Sequence, residues 1–125
     1  MAVVLDAGAL VAIERRDQRV RSILEFSTFR NDRVVTSAAV VGQVWRSGSR
    51  QANLARLLQS IEVKALDRVA GLQAGELLGT SRTRDVVDAH VALLAQDGDL
   101  VLTSDVADMR RLLDLLLIDA LLVKV

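Results

Sequence analysis

The chain has 125 residues, 51% of them hydrophobic and only 2% aromatic, and its 16 basic and 16 acidic side chains cancel to a formal net charge of zero. A core of Val, Leu, Ile and Ala suits parallel strands between helices, and the length predicts one domain over residues 1–125. The lack of cysteine excludes disulfides, thiolate zinc sites and cysteine nucleophiles, and a zero net charge gives no global field toward nucleic acid.

No basic leader precedes the first apolar stretch, and no run approaches the ~18 apolar residues of a membrane span. A soluble, cytoplasmic protein is expected. Lys64 and Lys124 are the only lysines and every other basic residue is arginine, whose planar fork of donors matches phosphate oxygens better than a point charge does.

The opening run Ala2-Val3-Val4-Leu5 reads as a buried strand that ends on Asp6. A short helix is predicted over Ala7 to Ile13, and Glu14 to Asp17 is a polar break. A second helix carries Val20, Ile23, Leu24 and Ser27 at helical spacing. Arg30 to Arg33 is a turn, Val34-Val35-Thr36 a short strand, and Ser37 an N-cap for a helix from Ala38 to Arg46. Gly48-Ser49 marks a stop and restart before an amphipathic helix with Ala52, Leu54, Ala55, Leu57 and Leu58.

Ile61 to Leu66 is a third strand, placed near an edge by Glu62 and Lys64. Asp67 opens a helix to about Leu78, Gly79 to Arg84 forms a loop, and Asp85 opens a helix to about Gln96. After the turn Asp97-Gly98-Asp99 come a strand ending at Thr103, a helix from Asp105 to Leu116 and a last strand over Leu121 to Val125. The alternation predicts an α/β sandwich with a mostly parallel sheet between helices.

Acids recur at the places where such a sheet binds ligands. Asp6 and Asp105 each follow a strand, and if those strands are parallel neighbours both carboxylates fall at one edge of the sheet. Asp85 with Asp88, and Asp105 with Asp108, are spaced three apart at helix starts. Each pair also reads as a cap followed by an acid in the first turn. Carboxylates gathered in one crevice repel by about 4 kcal/mol per pair at ~4 Å. A hard cation such as Mg²⁺ or Mn²⁺ neutralises them, lowers the pKa of a bound water and offsets charge on a phosphodiester.

The segments V-V-L-D-A-G-A-L, T-S-A-A-V-V-G-Q-V-W-R-S-G, D-V-V-D-A-H-V-A and L-V-L-T-S-D-V-A-D, in that order, resemble the PIN-domain family. Within that family the chain is similar to the small VapC-type toxins of bacterial toxin–antitoxin pairs. The resemblance implies a PIN-like three-layer sandwich and a Mg²⁺- or Mn²⁺-dependent endoribonuclease acting on a structured RNA such as tRNA or rRNA. It also implies a VapB-type antitoxin partner, contact with DNA only through that antitoxin, and a homodimer.

Asp6, Asp88 and Asp105 match the family's catalytic, metal-binding acids, and Asp85 and Asp108 match positions where some members carry further acids. Gln43 stands where the family usually has Glu, and Gly8 where it often has Ser or Thr two residues after the first acid. Gln43 supports an alternative in which a catalytically weak PIN fold serves as a protein-interaction module. Arg82, Arg84 and Arg46 are the candidate RNA contacts.

Trp45 and His90, each the only one of its kind, read as a packing residue and a structural residue. A receiver-type signalling domain would need a late lysine near the acids, and a haloacid-dehalogenase-type phosphatase a second Asp where Gly8 stands. No G-x-S-x-G elbow or nucleotide-binding glycine loop occurs.

Overall fold

The computed structural model describes Met1–Val125, and all five predicted strands join one parallel sheet. In chain order the elements are β1 (Ala2–Leu5), α1 (Ala7–Glu14), α2 (Gln18–Phe29), β2 (Arg33–Ser37), α3 (Ala38–Val44), α4 (Ala52–Ser60), β3 (Glu62–Lys64), α5 (Arg68–Ser81), α6 (Val86–Leu94), β4 (Leu100–Thr103), α7 (Val106–Leu115) and β5 (Leu121–Lys124). The strand order is β3-β2-β1-β4-β5, with every neighbouring pair parallel. The chain therefore builds outward from β1 through β2 to β3, then returns past β1 and builds the other way. That reversal between β1 and β4 is the switch point at which open α/β sheets leave a crevice.

Strand residues account for the centre of the core. Val3, Val4 and Leu5 of β1 and Val101 and Leu102 of β4 are fully buried, because β1 and β4 carry helices on both faces. On one side α1 packs against α2, α3 and α4; on the other, α5, α6 and α7 pack on one another. β3, the edge strand expected from its charges, is a three-residue strand whose Glu62 pairs with Arg33 at 2.8 Å. No helix is long and apolar enough to cross a membrane.

Three helix ends differ from the sequence pattern. α6 stops at Leu94 rather than about Gln96, whose N–H goes to the Asp99 side chain at 2.8 Å, and α3 and α5 differ as well. α3 stops at Val44 rather than Arg46, and Trp45 turns extended. The cause lies downstream: the buried Gln51 side chain accepts the N–H groups of Arg46 (2.7 Å) and Ser47 (3.0 Å), and donates to the Val44 carbonyl and to Glu14. Those backbone donors thus find partners outside a helix. Trp45 packs on the core and over Gly48, in the structural role expected of it.

α5 instead runs through Gly79 to Ser81, beyond the expected end at Leu78. Leu77 and Ser81, four apart, are both buried, so tertiary packing carries the helix past the glycine. It ends where Arg82 takes a left-handed conformation (φ 62°).

Candidate functional site

The carboxyl edge of the sheet collects helix N-termini, and their caps are the predicted acids. Asp6 caps α1, with Oδ1 accepting the Ala9 N–H at 3.0 Å, while Oδ2 accepts the Ser104 N–H at 3.1 Å from the loop after β4. One side chain, only 4% exposed, thereby clips the end of β1 to the end of β4. Asp85 caps α6 through the N–H groups of Val87 and Asp88, and Asp105 caps α7 through the Asp108 N–H. Asp88 and Asp108 lie in the first turns of those helices. The capping reading of both D-x-x-D pairs is therefore correct, and three of the five clustered acids are caps.

These five acids share one electrostatic field. The half-buried Asp88 carboxyl is pushed up to about 6, first by burial and then by the charges of Asp85, Asp6, Asp105 and Asp108. Every ion pair of the chain lies elsewhere: Arg21 with Glu25, Arg30 with Asp32, Arg33 and Lys64 with Glu62, and Arg110 with Asp114. The cluster thus has no basic side chain paired with it, and its negative charge is met by the capping N–H groups and the helix dipoles that end there. No three His, Asp or Glu side chains stand close enough to form a ready-made metal cage.

The remaining predicted residues sit around this centre. Gln43 is exposed near the end of α3, about 9 Å along the axis from its capped start. Arg46 folds back on its own helix end and donates to the carbonyls of Gly42 and Trp45. Arg82 and Arg84 are exposed, without an acidic partner, in the short connection that leads into the Asp85 cap.

His90, two residues past Asp88, faces β2 instead of the acids. It is 3% exposed, and its Nδ1 lies 2.6 Å from Ser37 Oγ, which also accepts the Ala39 N–H. Burial lowers the imidazole's pKa, which suits a neutral ring accepting the Ser37 proton. The structural reading of His90 holds.

Two residues at or near the ends of strands escaped the sequence reading. Asp99, at the opposite edge of the sheet, is buried and accepts the N–H groups of Ala2 and Gln96, both at 2.8 Å. The acidic turn before β4 was the available signal, but Asp97 and Asp99 look alike in sequence. Ser104 is the second; its signal was Gly8, which lies against it.

A cleft of about 600 Å³ between α1, α2 and α4 contains none of the five acids. The acids lie instead in the crevice at the switch point.

No protein-family model matches the chain, and a search of curated proteins finds no match either. Among solved structures, the chain is similar to one from the crystal structure of VapBC2 from Rickettsia felis bound to a DNA fragment from their promoter. The TM-score is 0.70 at 16% identity, and the match covers 99% of this chain and 100% of that one. The fold is PIN-like. A five-stranded parallel sheet between two helical layers, with acids at its switch point, is the architecture the sequence resemblance implied.

Proposed function

We propose that this PIN-like chain is a metal-dependent endoribonuclease, the toxin of a toxin–antitoxin pair, hydrolysing phosphodiester bonds of a structured RNA. The observation that carries the reading is the unpaired carboxylate cluster at the switch point, where burial first, and then the charges of Asp85, Asp6, Asp105 and Asp108, push the Asp88 carboxyl up to about 6. Such a set fits Mg²⁺ or Mn²⁺ in charge and in donor type. The lack of a closed cage fits too, because Mg²⁺ usually keeps several waters and binds through one or two carboxylates plus substrate phosphate.

In this reading Asp6, Asp88 and Asp105 hold the cation, with Asp85 and Asp108 adding negative charge around it. When bound, the cation supplies an activated water and offsets charge developing on the phosphodiester. Asp6 is pinned by two backbone N–H groups and keeps its carboxylate in place without help from substrate. Arg82 and Arg84 offer forked donors to RNA phosphates beside the crevice.

An antitoxin partner is proposed from the likeness to a chain of a VapBC2 complex, a complex that is itself bound to promoter DNA. Contact of this chain with DNA would then run through that partner. A homodimer of the chain is part of the same proposal.

The test is cleavage of total cellular RNA by the purified chain, free of any partner, with Mg²⁺, with Mn²⁺ and with chelator. Asp88→Asn is the control, since it leaves the Asp6 clip intact. Metal-dependent cutting lost in the variant is the expected result. No cutting by well-folded protein with either metal would favour the interaction module, for which the uncharged Gln43 speaks.

A further inference from the structure

The turn after β1 and the turn after β4 are interlocked at a single point. A Cβ placed on Gly8 would lie 2.6 Å from Ser104 Cβ, 2.7 Å from Ser104 Oγ and 3.2 Å from Asp6 Oδ1. Contacts under 3.0 Å are not sustained by real side chains, and Ser104 has no long flexible end that could swing aside. Residue 8 is therefore glycine because Ser104 fills its space. The hydroxyl of Ser104 stands where a side chain on residue 8 would be, next to the Asp6 carboxylate.

That hydroxyl is also the uncommitted one. At this edge Thr36 donates to the Leu5 carbonyl, Ser37 is shared by the Ala39 N–H and His90, and Thr103 accepts the Asp105 N–H. Ser104 is tethered through its backbone N–H to Asp6, and its exposed Oγ bonds to nothing in the chain. A fixed backbone, a free donor and an adjacent buried carboxylate make a site for an oxygen ligand.

The geometry points to Ser104 as a further binding residue of the acidic crevice, its hydroxyl donating to an oxygen, water or phosphate, held beside Asp6 with the divalent cation. This inference rests on the cation-binding half of the proposed function and not on RNA cleavage. Because a side chain on residue 8 and that of Ser104 would fill the same space, the two positions should be exchangeable.

The experiment compares wild type, Ser104→Ala, Gly8→Ser and the exchange G8S/S104G by Mn²⁺ calorimetry, by metal-free thermal unfolding and by RNA cleavage. Ser104→Ala should melt like wild type yet bind Mn²⁺ about 10-fold more weakly, the loss usual for an outer partner of a metal site. Gly8→Ser, overpacked against Ser104, should melt roughly 5 °C lower. The exchange should recover both the melting temperature and most of the Mn²⁺ affinity.

Undiminished Mn²⁺ binding by Ser104→Ala overturns the inference, as does an exchange variant that folds but stays weak. If the Mn²⁺ pattern appears while wild type leaves RNA intact, the inference stands and the nuclease reading falls. If wild type cuts RNA and Ser104→Ala matches it in cutting and in Mn²⁺ binding, the nuclease stands and the inference falls. A wild type that binds no Mn²⁺ removes both the cation site and this role for Ser104.

Discussion

Replacing Asp88 by Asn should make the metal-free protein more stable, the reverse of the usual effect of mutation. The Asp88 carboxyl has an ordinary value of 3.8 and is held near 6 in the folded chain. At ~1.4 kcal/mol per pH unit, keeping it ionised above pH 6 costs at most about 3 kcal/mol. Partial exposure to solvent halves that to about 1.5 kcal/mol. Losing a negative charge at the start of α6 returns about 0.5 kcal/mol, leaving a net gain of about 1 kcal/mol.

For a chain of this length that is about 4 °C in melting temperature. The sign follows from proton affinity: the folded carboxyl binds its proton more tightly than the unfolded one. Wild-type stability from this group is thus fully present below 3.8, declines as pH rises through 6, and stays reduced above it. Thermal unfolding of both proteins in chelator from pH 4 to pH 8 is the assay. The variant's advantage should be full at pH 8, shrink through 6 and vanish near pH 4. A variant less stable than wild type at pH 8, or a difference that does not change with pH, would refute the argument that burial and neighbouring charge penalise the ionised Asp88.

Two other expectations separate framework from site. Asp99→Ala leaves the N–H groups of Ala2 and Gln96 without acceptors in a buried place; urea unfolding should register a loss of about 3 kcal/mol, with Mn²⁺ affinity unchanged. The double variant Arg82→Ala/Arg84→Ala removes two cations beside the acids without disturbing an ion pair. Its RNA affinity should fall evenly across sequences, and the slope of log affinity against log salt should flatten by about 1.4.

Much of the frame was legible because it is written within a few residues. Apolar runs mark β1, β2 and β4, and the capping side chains Asp6, Ser37, Asp67, Asp85 and Asp105 start the helices that follow them. Capping and strand burial depend on neighbours at i+2 to i+4 and on alternation or runs, so periodicity finds them. The acids that cap were legible as site candidates for the same reason.

What lay beyond the sequence involves partners far apart along the chain. α5 continues through Gly79 because Leu77 and Ser81 bury together, and α3 stops early because Gln51 takes the N–H groups of Arg46 and Ser47. Asp97 and Asp99 are indistinguishable until Ala2 is seen to donate to one of them.

The decisive step was also non-local. Local pattern determined that strands would end on acids and that helices would start there. Only the tertiary structure put β4 beside β1, so that Asp6 and Asp105 share a crevice with Asp88 and Ser104 lies in the space Gly8 leaves open. Strand order is chosen by the packing of two helical layers on one sheet, a free energy spread over the whole core, and no short stretch of sequence carries it.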